Sequence, residues 1–191
     1  CLLLVASFYQ PSITTKLYLR TPFYRFPYEF ASGFRRSWWF LILLSILVMI
    51  GDGVGNFNLA LVAVALIYLT LLSYYSQPEP IYFVMIHARS PSQFLKIKCK
   101  TALLYSNILM TPLLVSIAAC FPTNWLIVLA AALIGNLVML AAVFSKYSNF
   151  PHGNDAMSTL FLGIAIPFPP LLLFILPYLA TRAHSKLSEY L

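Results

Sequence analysis

The sequence predicts an all-α, polytopic integral membrane protein, a helical bundle of about five spans. Of its 191 residues, 61% are hydrophobic and only 9% are charged, whereas a soluble domain carries about 25% charged residues. Five apolar runs of 14 to 24 residues divide the chain, and a membrane-spanning helix requires about 20 such residues. So few charges cannot cover a water-facing surface, which excludes an ordinary soluble fold.

Residues 1–36 are expected to form an apolar fragment followed by an amphipathic interfacial segment. Residues 1–9 are the end of an apolar run, so we expect the chain to start inside a longer protein. Residues 12–36 mix aromatic and cationic side chains, which is typical of a helix lying in the membrane interface. Base stacking beside phosphate contacts is the alternative for such a mixture. Because an adjoining bilayer explains the aromatic residues, we expect no nucleic acid partner.

Residues 37–180 are expected to form the transmembrane domain. Its first run covers Ser37–Ile50, and the glycines of residues 51–55 are expected to end that helix in a turn. The second run covers Phe57–Tyr75 and closes on Tyr74-Tyr75, a pair typical of an interfacial aromatic belt.

The third and fourth runs, Thr101–Phe121 and Trp125–Phe144, are separated only by Pro122-Thr123-Asn124. Such a short turn predicts that they form an antiparallel hairpin. The fourth run is rich in small residues, which let membrane helices approach closely.

The last run, Met157–Ala180, is broken by Pro167, Pro169, Pro170 and Pro177. Each proline lacks a backbone donor and clashes with the preceding turn, so a straight helix is not expected. Two alternatives remain, a kinked single span and a re-entrant hairpin of two half-helices. The polar C-terminal tail, residues 181–191, is basic and favours the re-entrant form, which returns it to the cytoplasm.

The distribution of charge predicts the topology. The loops at residues 10–36 and 77–100 are both basic, whereas the turn between the first two runs carries only Asp52. Positively charged loops stay in the cytoplasm, so Arg35 and Lys98 are expected inside and Asp52 outside.

The loop at residues 77–100 ends in a helix-start signal. Ser90 is a favourable N-cap, Pro91 suits the first helical position, and Gln93 stands at the capping-box position. Phe94 follows among cations, Lys96 and Lys98. The pattern allows two interpretations. Residues 91–98 either extend the third span and anchor it at the headgroups, or form a docking helix for a partner.

Glu79 and the stretch Ala88–Lys98, which enters a third span, together resemble the permease subunit of type-2 ABC exporters. That resemblance implies a short coupling helix that contacts a separate cytoplasmic ATPase. The partner-binding residues implied are Glu79, Arg89, Ser90, Pro91, Gln93, Phe94, Lys96 and Lys98. It also implies a homo- or heterodimer in the bacterial inner (plasma) membrane, with ATP and Mg bound by the partner and a re-entrant break at Pro167, Pro169 and Pro170. The family has six spans, whereas this chain has about five, so we expect a divergent or truncated member.

Catalytic and metal-binding patterns are not found in the sequence. The three cysteines and three histidines are dispersed, and no Walker, HExxH or GxSxG motif occurs. We therefore expect no cofactor in this chain and no enzymatic activity of its own. The alternative function is that of a non-transporting membrane subunit that scaffolds a larger membrane complex; an unrecognised membrane enzyme comes third.

Overall fold

The computed structural model describes residues 28–76, 79, 82, 84, 90–151, 163 and 168–190, and every regular element among them is helical. The α-helices are α1 (Tyr28–Val54), α2 (Phe57–Leu72), α3 (Pro91–Cys120), α4 (Trp125–Ser148) and α5 (Leu172–Ser188). Short 3-10 turns occupy Ser73–Tyr75, Pro122–Asn124 and Pro169–Leu171. The all-α prediction is confirmed for this part of the chain.

Three segments are long and apolar enough to cross a membrane: Glu29–Val54, Pro91–Cys120 and Pro122–Ser148. A fourth apolar helix, Phe57–Ser73, is shorter. About five spans are expected from the sequence, and these helices provide three candidates for them among the described residues.

Helix α1 begins earlier than the sequence predicts. It starts at Tyr28 and continues without interruption into the apolar run, so residues 28–36 are not a separate interfacial helix. The boundary predicted after residue 36 therefore falls inside one helix. Residues 1–27 lie outside the described residues.

The end of α1 is also later than predicted, because Gly51 lies inside the helix rather than in a turn. A Cβ at Gly51 would stand 2.9 Å from the backbone nitrogen of Ala60 in α2. The missing side chain thus permits close helix packing. The chain turns at Gly55, whose φ of +73° suits glycine, and Asn56 caps α2 by accepting the Leu59 N–H at 3.1 Å.

The end of α2 corrects a second expectation. Tyr74 and Tyr75 are buried inside the bundle instead of forming an exposed interfacial belt. Tyr74 packs edge-on against Phe30 of α1 with ring centroids 5.3 Å apart, and its hydroxyl hydrogen-bonds with that of Ser37. Tyr74 therefore joins the end of α2 to α1.

The predicted hairpin of α3 and α4 is confirmed, with its turn at Pro122–Asn124. Helix α3 is continuous from Pro91 through Pro112 to Cys120. In α4, Gly135 lies directly against the Tyr68 ring of α2, and a side chain there would overlap that ring. Small residues in α4 thus allow close packing, as the sequence predicts.

One end of the bundle, called the base below, collects the starts of α1 and α3 and the end of α4. Lys98 of α3 and Lys146 of α4 both place their Nζ atoms 2.9 Å from Glu29 of α1. Asp52 lies near the other end of α1. The structure therefore places Lys98 and Asp52 at opposite ends, as the charge pattern predicts, while the cytoplasmic orientation of the base stays a prediction.

Helix α5 runs parallel to α4. Leu172, at its start, packs with Val138 and Ala141 of α4. Ten residues later, Arg182 donates a hydrogen bond to Asn149 Oδ1 at 2.9 Å, just beyond the end of α4. Because both contacts follow the same order along the two helices, α5 descends towards the base.

The proline-rich break lies at the start of α5. Phe168 is not helical, and Pro169–Leu171 forms a 3-10 turn, so no single helix covers residues 157–180. The turn lies beside Val138 and Ala141, about 10–15 Å along α4 from its C-terminal end. The structure thus has the break and the return to the base that the re-entrant alternative requires; Pro167 lies outside the described residues.

The C-terminal residues are not a separate tail, because α5 continues to Ser188. His184 Nε2 lies 3.0 Å from Ser92 Oγ at the start of α3. Tyr190 packs edge-on against Phe150 at 5.5 Å. The end of the described chain is therefore fixed at the base.

Candidate functional site

Four charged side chains meet at the base, and they are called the ion cluster here: Glu29, Glu79, Lys98 and Lys146. Lys98 Nζ donates to Glu29 Oε1 at 2.9 Å and to Glu79 Oε1 at 2.5 Å. Lys146 Nζ lies 2.9 Å from Glu29 Oε1 and 3.7 Å from Glu79 Oε1. Each carboxylate thus contacts both ammonium groups, and the two negative and two positive charges balance.

The ion cluster joins four segments of the chain. Glu29 stands in the first turn of α1, Lys98 near the start of α3 and Lys146 in the last turn of α4. Glu79 belongs to the connection between α2 and α3. Because negative charge is favourable at a helix start and positive charge at a helix end, Glu29 and Lys146 also complement the dipoles of their own helices.

Aromatic side chains surround these charges. The Tyr147 hydroxyl donates to Glu79 Oε2 at 2.8 Å, and its ring packs edge-on against Phe94 at 5.2 Å. Phe94 and Tyr147 are both buried. Lys98 Nζ also lies 5.5 Å from the centre of the Phe94 ring, a distance at which a cation is attracted to the ring face.

Burial is unequal within the ion cluster. The side chains of Lys146 and Glu29 are 2% and 4% exposed, whereas those of Lys98 and Glu79 are 15% and 10% exposed. Burial raises the pKa of the Glu79 carboxyl, as does neighbouring Glu29, while Lys146 and Lys98 act in the opposite direction. The Glu79 side of the ion cluster is therefore the side that reaches water.

The helix start predicted at residues 90–93 is confirmed. Helix α3 begins at Pro91, and Ser90 Oγ accepts the backbone N–H of Gln93 at 3.4 Å. Lys96 is exposed at the base. Arg89 lies outside the described residues.

Phe94 and Lys98 differ from expectation, because the structure turns them inward. The sequence predicts Phe94 as an apolar anchor for a partner, but its ring packs against Tyr147 inside the chain. Lys98 binds Glu29 and Glu79 rather than facing outward. The outward face of the α3 start consists instead of Gln93, Lys96, Ile97 and Lys100.

Glu29, Lys146 and Tyr147 are site residues that the sequence pattern did not reveal. In the sequence, Glu29 is a single acid in a basic segment, and Lys146 is one of several cations near the ends of apolar runs. One signal is available, since an acid opens one apolar helix and a lysine-tyrosine pair closes another. That signal identifies no partner, because Glu29 and Lys146 are 117 residues apart.

Charge pairing is the chemistry that the described residues of the base show. The charges neutralise one another, and no group of three His, Cys, Asp or Glu side chains in the described part of the chain could hold a metal ion. No known family, no curated protein and no solved structure matches this chain. Its function is therefore inferred from the base itself.

Proposed function

We propose that this chain is the transmembrane subunit of an ATP-driven exporter, coupled at its base to a separate cytoplasmic ATPase. The observation that carries the proposal is the continuity of α3, one helix from its capped start at Pro91 to Cys120. A movement imposed on its start is transmitted along the same rigid element to the far end of the bundle. The proposed setting is the bacterial inner membrane, with two membrane subunits per complex and ATP and Mg bound by the partner.

The start of α3 is long enough to reach beyond the bilayer. Residues 101–120 supply about 30 Å of helix, which equals the hydrocarbon thickness. The preceding residues, 91–100, add about 15 Å and expose the cations Lys96 and Lys100. A capped helix start that exposes cations at the base is a suitable contact for a cytoplasmic partner.

The contact surface on α3 follows from the side chains that face outward. Ile97 is 59% exposed, with Gln93 and Lys96 exposed in the preceding turn. An exposed aliphatic side chain beside cations suits helix-in-groove binding. Ile97 therefore takes the anchoring role that the sequence suggests for Phe94.

Copurification tests the proposal. The chain is purified in mild detergent, and all retained proteins are identified by mass spectrometry. We expect an ATPase among them. We expect Ile97→Ala to weaken its retention about fivefold or more, since truncating an apolar anchor costs about 1 kcal/mol or more. The matched control is Ile108→Ala, which removes an equally exposed isoleucine (54%) farther along α3 and should leave retention unchanged.

A scaffold subunit is the second candidate, and the inward orientation of Phe94 and Lys98 favours it. Both side chains make contacts within this chain and are not exposed for binding to a coupling partner. Copurification with other membrane proteins and no nucleotide-binding subunit would replace the exporter proposal by this one.

A further inference from the structure

The ion cluster divides into two neutral pairs that lie on different segments. The outer pair is Glu79 and Lys98, on the connection after α2 and on α3, with a 2.5 Å contact. The inner pair is Glu29 and Lys146, on α1 and α4, with a 2.9 Å contact. Each pair remains electrically balanced without the other.

Among the described residues, three hydrogen bonds and one ion contact join the segments of the two pairs. Lys98 Nζ reaches both carboxylate oxygens of Glu29, at 2.9 and 3.1 Å. Lys146 Nζ lies 3.7 Å from Glu79, whose other oxygen accepts the Tyr147 hydroxyl. These polar contacts can be replaced by water, whereas the buried Phe94 ring, which packs against Tyr147 of α4, becomes exposed when the start of α3 moves away.

Charge balance permits a separation along this plane. Removing one partner from a buried ion pair leaves an uncompensated charge and is strongly destabilising. Separation between the outer and inner pairs leaves no such charge, because each ion keeps its own counterion. The outer pair is also the more exposed one, so water reaches it first.

We propose that the outer pair is a detachable latch, and that the start of α3 moves away from α1 and α4 together with Glu79. The base is closed when the cross contacts are made and open when water replaces them. In an exporter, a docked ATPase would drive this movement, and that use of the latch rests on the proposed function. The existence of the latch does not rest on it.

Cys99 provides a native reporter of this movement. It follows Lys98 directly and is half-buried against the core, whereas Cys120 is exposed at the other end of α3. With Cys1→Ser in place, the rates at which a water-soluble maleimide labels Cys99 and Cys120 are measured by mass spectrometry in detergent. Cys120 serves as the internal control.

The decisive variant exchanges the charges of the outer pair, Glu79→Lys with Lys98→Glu. The exchanged pair stays neutral, but each cross contact to the inner pair now joins like charges. We expect Cys99 labelling to rise at least about tenfold, or about 1.4 kcal/mol of closed-state preference, with Cys120 labelling and helix content unchanged. The matched control, Lys186→Glu with Glu189→Lys, exchanges an exposed pair and should change neither rate.

A second variant, Glu79→Gln with Lys98→Met, removes the outer charges and should also speed Cys99 labelling. Unchanged Cys99 labelling in both variants overturns the latch, and so does loss of folding in both, because the ion cluster would then be one indivisible unit. Since no ATPase is needed, faster labelling together with failed copurification would retain the latch and reject the exporter.

Discussion

Replacing Lys146 by methionine removes the more deeply buried cation of the ion cluster, and we expect a large loss of stability. The ammonium lies 2.9 Å from Glu29 and 3.7 Å from Glu79, on a side chain only 2% exposed. Methionine nearly preserves the volume, so the main change is the lost charge. Two carboxylates then share the single ammonium of Lys98.

The expected magnitude follows from this geometry. Removing one partner of a buried ion pair costs about 3–5 kcal/mol, and the lower end applies because Lys98 still contacts both carboxylates. For a chain of this size 1 kcal/mol shifts Tm by about 2–4 °C, so about 3 kcal/mol predicts a fall of about 6–12 °C. Thermal unfolding in mild detergent, followed by circular dichroism, measures it.

Two controls separate this effect from a general sensitivity to charge. Lys186→Met breaks an exposed pair with Glu189, worth about 0–1 kcal/mol, so it should shift Tm by less than about 4 °C. Glu29→Gln combined with Lys146→Met removes opposite charges together and should recover part of the loss. If Lys146→Met lowers Tm no more than Lys186→Met does, the ion cluster does not stabilise the packing of the helices at the base.

Three further predictions concern packing and topology. Gly135→Ala should lower the free energy of unfolding by about 1–3 kcal/mol, because the added carbon overpacks against α2. Gly53→Ala should leave it unchanged, since no atom lies within 4 Å of the added carbon. Chemical unfolding of both variants measures the difference. Single cysteines at Lys96 and Asp52 should be labelled from opposite sides of sealed vesicles, and same-side labelling would reject the alternation of spans. A cysteine at Ser185 should be labelled from the side of Lys96, since α5 returns to the base; labelling from the other side would mean that α5 completes a span.

Local chemistry allowed the sequence to predict several elements correctly. The start of α3 depends on Ser90, Pro91 and Gln93, which are neighbours in sequence. The turn between α3 and α4 depends on three consecutive residues, Pro122–Asn124. The break before α5 depends on adjacent prolines. Such signals act within one helical turn, so they can be recognised without a fold.

Expectations that depended on neighbours in space were less successful. Gly51 predicts a turn by composition, but it lies inside α1, where its missing side chain lets Ala60 of α2 approach closely. Tyr74 and Tyr75 match an interfacial belt by composition, but the contact with α1 buries them. Composition states what a residue tolerates, whereas packing decides which of the tolerated conformations is adopted.

The sequence by itself determined that the chain is helical and apolar, where α3 starts, and that basic segments flank the first and third runs. Only the tertiary structure decided that Glu29 binds Lys98 and Lys146, from positions 69 and 117 residues away. It also decided that Phe94 faces inward while Ile97 faces outward. The physical reason is that ion pairing depends on how each helix is rotated and aligned against its neighbours, and close packing at positions such as Gly51 and Gly135 sets that alignment across the whole bundle.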